Sequence, residues 1–258
     1  MSNEVHAAAQ GGYAAEAGRY ASGRPEYPAA LKAWLGAELG LGPGRRVLDL
    51  GAGTGKFTML LQETGAGVCA VEPVAAMREQ LASRLAGVEV LAGRAQAIPL
   101  PSESVDAVVC AQAFHWFASS EALTEIHRVL KPGGSLGLVW NVRDESVDWM
   151  AAITAIITPF EGDAPRYYKG DWRKPFEDGF AGFGPLELSS FAHEHEGPPA
   201  QVILDRFLSV SFIAALDEEA KAGVAGRLQH LVDHHPALRG RETVAVPYRT
   251  EAFVARRR

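Results

Sequence analysis

The chain has only two cysteines in 258 residues, Cys69 and Cys110, and each sits inside an apolar run. That argues against a disulfide framework or a thiolate metal site and for buried thiols in a reducing compartment. It also lacks any uninterrupted apolar stretch of about eighteen residues, so a membrane-spanning helix is not expected. Residues 1–18 are rich in Ala and Gly, with neither a basic n-region nor an apolar core, and a cytoplasmic location is therefore expected. Positive charge is in short supply: 25 Lys and Arg stand against 31 Asp and Glu, a formal net charge of −6. Nucleic acid and membrane surfaces are therefore poor partners for the whole chain, and the terminal Arg256, Arg257 and Arg258 read as a solvated tail. A small-molecule substrate is expected, and the chain itself as a monomer or homodimer.

Against these absences stands one dense motif. Residues 47–55 read V-L-D-L-G-A-G-T-G, an apolar strand running into a turn with three alternate glycines, Gly51, Gly53 and Gly55. Alternate glycines admit positive φ and bring a ligand against bare backbone. Glu72 closes the next apolar run, about twenty positions on, where a carboxylate accepts hydrogen bonds from a ribose. Together these describe a nucleoside pocket. A dinucleotide loop, G-x-G-x-x-G, would need glycine where Lys56 stands, and a phosphate loop would need glycine at Leu50 and Ser or Thr at Phe57.

Strand-like and helix-like patterns alternate up to about residue 140, the sequence form of a parallel sheet with helices on both faces. Strands are expected over 46–50, 68–72, 88–91, 105–111 and 135–140. Helical stripes are carried by Phe57, Leu60 and Leu61, by Met77, Leu81 and Leu85, and by Leu123, Ile126 and Leu130. Breakers such as Pro132-Gly133-Gly134 fall between them. Runs 186–196 and 243–255 alternate like strands, with helix-like 200–210 and 217–233 between, completing a seven-stranded sheet whose last strand is antiparallel. Pro247 in the final run is tolerable at a bulge or an edge. Ligands in such sheets bind beyond the carboxyl ends of the strands, where strand order reverses. Gly51 to Gly55, Glu72, residues 93–98 and residues 112–117 all fall at such ends.

Taken in order, V-L-D-L-G-A-G-T-G, V-E-P, A-x-x-I-P-L, S-V-D-A-V-V and V-L-K-P-G-G cover residues 46–140. Their order and spacing resemble the class I S-adenosylmethionine-dependent methyltransferases. The run Y-A-S-G-R-P-E-Y-P at 20–28 and A-F-H-W-F at 113–117 further resemble the small-molecule branch, including relatives of trans-aconitate methyltransferase. The resemblance implies a Rossmann-like seven-stranded, mostly parallel α/β sheet with a helical, aromatic cap. It also implies S-adenosyl-L-methionine as cofactor and methyl transfer to an O, N or C nucleophile, a carboxylate included. It places the cofactor on Asp49, Gly51, Ala52, Gly53, Gly55, Glu72, Pro73, Met77, Ala95, Gln96 and Gln112. Met77 packs either on adenine or in a core stripe with Leu81 and Leu85, and both can hold. Asp106 is read as structural.

The segment after the fourth strand bears on reaction type. Base and protein-amide methylating enzymes of this superfamily carry an acid or Asn followed by Pro-Pro-aromatic there, whereas this chain has Gln112-Ala113-Phe114-His115-Trp116. His115 is the candidate general base, with packing as its alternative. His193 and His195 alternate with Glu194 and Glu196, which puts both His on one strand face without a third ligand, so no metal is expected. Outside the shared core, Tyr13, Tyr20 and Arg24 suit a lid, and Trp116, Tyr167 and Trp172 suit a substrate-facing cap. The expected organisation is a lid at 1–30, a cofactor-binding core at 31–141, a cap at 142–185 and a completion of the sheet at 186–258. A nicotinamide-dependent oxidoreductase, or a nucleoside-binding module of this fold with altered chemistry, are the alternatives.

Overall fold

A computed structural model describes residues 23–178 and 180–258. Seven strands form one sheet in the order β3-β2-β1-β4-β5-β7-β6, mostly parallel, with antiparallel strands at the end of the chain. They are β1 Arg46–Leu50, β2 Gly67–Val71, β3 Glu89–Leu91, β4 Val105–Ala111, β5 Leu130–Arg143, β6 Glu187–Gly197 and β7 Val244–Arg256. Strand β1 pairs in parallel with β2 through Asp49 and Ala70, and with β4 through Asp49 and Val109. Connections therefore run outward in opposite directions from β1, and the crevice this reversal leaves lies at the carboxyl ends of β1 and β4.

Helices α1 Ala30–Leu39, α2 Lys56–Gln62, α3 Ala75–Arg84 and α4 Ser120–Val129 flank this part of the sheet. The stripes expected of α2, α3 and α4 are buried through Phe57 and Leu61, Met77 and Leu81, and Leu123 and Ile126, whereas α1 was not read from the sequence. Leu31, Leu35, Phe57 and Leu61 join Val47, Val68, Val109 and Val139 in one core, while Leu81 packs with Ala52 and Ala70 in a smaller one. The start of α4 is fixed by Ser119, whose hydroxyl accepts from the Ala122 amide at 3.2 Å, with Glu121 in the first turn where the helix dipole favours an anion.

By its internal contacts the chain divides into two units. One comprises Tyr27–Asn141, Pro165–Phe191 and Thr250–Arg258. The other comprises Val142–Ala164 and Ala192–Arg249, together with residues 23–26. In the second, α5 Asp148–Ile157 and α6 Glu218–His234 bury Trp149, Ile153, Ile157, Val224 and Leu228 against Val202, Phe207 and Tyr248. The stretch 142–185 is therefore not one cap. Its second half belongs with the first unit, because Trp172 and Tyr167 stack on Trp140 at ring-centroid distances of 4.6 and 4.8 Å.

Four further details depart from expectation. Strand β5 begins five residues early, and Lys131 to Gly134 loop out against Asp106, so the Pro-Gly-Gly run is a bulge inside the pairing. Pro247 lies in β7, an interior strand rather than an edge, and its carbonyl accepts from the Asp144 amide at 3.1 Å. Residues 200–210 are not one α-helix, since Ala200–Asp205 is a π-helical turn followed by the short Arg206–Leu208. Two of the three terminal arginines, Arg256 and Arg257, are not part of a solvated tail. Arg256 ends β7 and donates to Ser135 Oγ at 2.9 Å and Glu38 Oε2 at 3.0 Å, while Arg257, 14% exposed, pairs with Glu103 at 3.2 Å.

Among the described residues no helix is long and apolar enough to cross a membrane. Cys69 and Cys110 are free and buried. Burial pushes the Cys69 thiol up to about 12 and holds Cys110 well above the ordinary thiol range, so neither is a nucleophile.

Candidate functional site

The loop leaving β1 is tied to the end of β2. The Gly51 and Ala52 amides both donate to the Val71 carbonyl, at 2.8 and 3.3 Å. All three motif glycines have positive φ, 76°, 57° and 85°, a region that penalises any Cβ. Their surroundings differ. A Cβ on Gly51 would lie 2.8 Å from Ala113 Cβ, and one on Gly55 would lie 2.8 and 2.9 Å from Leu81 and Leu85. Those two glycines let the loop pack on its own protein. At Gly53 the only atom of the described residues within 4 Å of that position is Met77 Sδ, at 3.9 Å, so among them the missing side chain leaves space. Met77 is buried and borders that space from α3.

Glu72 is buried beside Gly53. One carboxylate oxygen accepts from the Gly53 amide at 3.0 Å, the other from the Val74 amide at 2.9 Å. A carboxylate has about four acceptor positions, so these bonds aim the group and leave it capacity for a diol. Burial raises its pKa, opposed by those two amides and by Arg78. Arg78 was not singled out from the sequence. Its Nη1 donates to the carbonyls of Glu72 at 2.9 Å and Pro73 at 2.7 Å, stapling the strand end to α3.

Asp49, 1% exposed on β1, is the most perturbed carboxylate. Thr58 Oγ1, one turn into α2, donates to its Oδ2 at 2.6 Å, and its Oδ1 meets no hydrogen-bond partner. Burial raises its pKa to about 7; the Thr58 bond opposes this and the charge of Glu72 adds to it. An acid buried with one bare oxygen is an acceptor waiting for a donor, best a cation.

The remaining predicted positions distribute unequally. Ala95 is buried and Gln96 exposed, in a segment clamped from α4: Arg128 donates to the Ile98 and Leu100 carbonyls at 2.9 and 2.8 Å, and Glu125 accepts from the Ile98 amide at 2.9 Å. Gln112, just past β4, has a left-handed φ of 57°, rare without glycine and costing on the order of 1 kcal/mol. Its amide donates to the Val139 carbonyl at 2.8 Å, and its side chain reaches the Asn141 carbonyl at 3.4 Å. Asp106 is structural as expected, accepting from the Arg46 amide and Lys131 at 2.9 Å and from Arg45 at 3.1 Å. Burial raises its pKa, but these bonds together outweigh burial and the net shift is downward.

His115 lies in the single 3-10 turn Phe114–Trp116. Trp140 Nε1 donates to His115 Nδ1 at 3.1 Å. An indole nitrogen only donates, so Nδ1 must be bare and the neutral ring carries its proton on Nε2. In that state Nε2 is a donor, and the ring's free lone pair is already used by Trp140.

Of the cap residues, Trp172 is 1% exposed, and its position corrects the expectation of a substrate contact: it is core, its ring against Trp140 and Phe253. Tyr167 is half-buried and its hydroxyl donates to Glu251; burial, then that carboxylate, pushes its pKa up. Trp116 is partly exposed, with the Arg166 guanidinium 5.6 Å from its ring centroid. Arg24 donates to the Ser209 carbonyl at 3.5 Å, within the second unit. Tyr13 and Tyr20 lie outside the described residues. His193 and His195 share the half-buried face of β6 and Glu194 and Glu196 the exposed one, as period two requires, and the described residues contain no group of three or more His, Cys, Asp or Glu able to hold a metal.

Comparison with known proteins agrees with this geometry. A family described as "Methyltransferase domain" matches residues 48–138. An uncharacterized methyltransferase-like protein of Schizosaccharomyces pombe is 38% identical over 235 residues, covering 91% of each chain. An uncharacterized methyltransferase of Mycobacterium tuberculosis strain H37Rv is 38% identical over 233 residues, covering 90% of each. Among solved structures, a provisionally assigned type II methyltransferase from Anaeromyxobacter dehalogenans superposes with a TM-score of 0.63 at 24% identity, over 90% of this chain and 96% of that one, which shows a shared fold.

Proposed function

The chain belongs to the class I S-adenosylmethionine-dependent methyltransferases, and from that membership we propose that it methylates a small molecule at an oxygen that needs no base, a carboxylate. The residues present fit the cofactor. Gly53 leaves a cradle that a Cβ would begin to fill, Asp49 Oδ1 is a bare acceptor for an ammonium group, and the aimed Glu72 has capacity left for two ribose hydroxyls. Met77 offers an apolar flank for adenine, and Ala95 and Gln96 offer a backbone amide and a polar side chain for its edge.

When bound, S-adenosylmethionine supplies a methyl group on a sulfonium sulfur, already activated toward in-line attack. What the protein adds is position and exclusion of water. The observation that carries the reading of the acceptor is the Trp140-to-His115 hydrogen bond of 3.1 Å. It supports a ring that donates from Nε2 and steadies an acceptor oxygen, and a ring in that state does not deprotonate a hydroxyl or amine. A carboxylate is a nucleophile without deprotonation, so it is the acceptor this arrangement suits.

Methyl transfer from tritium-labelled S-adenosylmethionine to matched panels of small carboxylic acids, phenols and amines tests this. Alkali-labile methyl esters from the carboxylic acids are expected. Transfer confined to phenols or amines, with a rate rising through the titration of a histidine, would sink the carboxylate reading while leaving the cofactor in place.

A further inference from the structure

Within the second unit Arg206 is a buried charged side chain for which, among the described residues, no ion pair is seen. Arg206 directly follows the π-helical turn Ala200–Asp205 and is 9% exposed. Its Nε donates to the Tyr248 hydroxyl at 3.2 Å, and its Nη1 meets no hydrogen-bond partner. Two more guanidiniums stand near it. The Arg206 and Arg143 guanidinium carbons lie 5.3 and 6.0 Å from the same Phe207 ring centroid. Arg24 donates to the carbonyl of Ser209, three residues along from Arg206, and the neighbouring Gly23 lies so close that a Cβ on it would sit 2.8 Å from the Arg206 amide nitrogen.

Burial, then Arg24 and Arg143, hold the Arg206 pKa down to about 10, opposed by Tyr248. Arg143 has Glu145 at 3.9 Å, about half exposed. A desolvated guanidinium is costly unless paired and fully hydrogen-bonded, and one aromatic contact with one phenol does not complete it. A bound anion would complete it.

We propose that Arg206, with Tyr248 on its Nε and Arg24 and Arg143 beside it, forms a binding site for a small oxyanion, the carboxylate or phosphate group of a small molecule. The planar fork of a guanidinium matches a carboxylate through two parallel N–H bonds, and the two neighbouring guanidiniums make the surroundings of the fork more favourable to an anion. Nη1 is turned from solvent, and the lack of a side chain at Gly23 is what lets residues 23–26 lie on Arg206. The adjacent π-helical turn is a local geometry frequent at functional sites. None of these residues is among those assigned to the cofactor, and the inference stands whichever acceptor the enzyme uses.

The test uses the full chain at fixed ionic strength set with chloride. Thermal melting and calorimetric titration are run with citrate and, separately, with inorganic phosphate. A saturable rise in melting temperature is expected, stronger with citrate if a carboxylate is the natural group and stronger with phosphate if that is. Arg206→Met should weaken the bound anion by on the order of tenfold or more, while its melting temperature without anion equals or exceeds that of the parent. Retained S-adenosylhomocysteine binding shows that the variant is folded. If Arg206→Met does not fold, Tyr248→Phe and Arg143→Gln serve, each expected to weaken citrate severalfold. No shift with either anion in the parent chain, or a shift that these substitutions leave intact, overturns the proposal and makes Arg206 a structural cation.

Discussion

Protonation of Asp49 should couple cofactor binding to pH, and the coupling can be sized from the structure. In the folded chain its pKa is about 7 against an ordinary 3.8, through burial first and then the charge of Glu72, with the Thr58 bond opposing. The folded acid therefore keeps its proton where the unfolded one has lost it. The sign follows: this group's favourable share of stability is complete below about pH 3.8 and is lost as pH rises to about 7. A shift of about three units corresponds to about 4 kcal/mol of stability lost across that window. A cation that pairs with the bare Oδ1 favours the ionised form, so cofactor binding below pH 7 must expel the proton. The ligand's own α-amino group stays charged below about pH 8, leaving Asp49 as the group that titrates. Calorimetric titration of S-adenosylhomocysteine at pH 6, in two buffers of contrasting ionisation enthalpy, should show release of close to ~1 proton. Affinity should fall roughly tenfold per unit below pH 7. Asp49→Asn, which keeps an oxygen for Thr58, should bind independently of pH over this range and should unfold with a flatter pH dependence. Equal heats in both buffers, with an affinity that does not change between pH 5.5 and 7, would refute the assignment of Asp49 to the cofactor's cationic end.

Gly53→Ala and Gly55→Ala should separate binding from folding. The first has open space and should weaken S-adenosylhomocysteine with a loss of stability of about 1 kcal/mol from its positive φ, whereas the second drives a Cβ into Leu81 and Leu85 and should cost a further ~1–3 kcal/mol in chemical denaturation. Trp172→Ala should destabilise by roughly 3–5 kcal/mol, as for a buried aromatic, and a variant of parental stability with altered acceptor choice would return Trp172 to the substrate. Trp140→Phe removes the donor to His115 Nδ1 and frees the ring to change tautomer. The expected outcome is a lower kcat with cofactor affinity unchanged; an unchanged kcat would remove His115 orientation from the mechanism.

Much of the fold was legible because local pattern and tertiary burial agree. Strands β1 and β4 match the expected limits to the residue, and the apolar stripes of α2, α3 and α4 are the ones that enter the core. Departures arise where the fold decides against the local signal. Pro132-Gly133-Gly134 marks a true break in pairing, yet the chain resumes the same strand pair because Asp106 gathers Lys131, Arg45 and the Arg46 amide around the bulge. The terminal arginines look like a solvated run in one dimension. Arg256 and Arg257 are held because β7 delivers them to Ser135, Glu38 and Glu103, which lie 121, 218 and 154 positions away in sequence.

The site follows the same division. Gly53 and Glu72 were legible because backbone conformation and a strand-end carboxylate are local properties written in spacing. Gly51 and Gly55 were legible as glycines but not in purpose, since the atoms that forbid a Cβ there come from Ala113, Leu81 and Leu85. Thr58, Arg78 and Trp140 were missed, and each acts by holding another residue: Thr58 holds Asp49, Arg78 holds the Glu72 carbonyl, Trp140 holds His115. A threonine nine positions after a strand acid carries a faint signal, because one turn into the next helix faces back on that strand. Trp140 carries none, being 25 residues from His115 and inside an ordinary apolar strand. The chemical role of His115 therefore turns on a partner the sequence does not mark. A donor on Nδ1 leaves the neutral ring a donor at Nε2, and on the proposed reading a histidine in that state selects acceptors already able to attack.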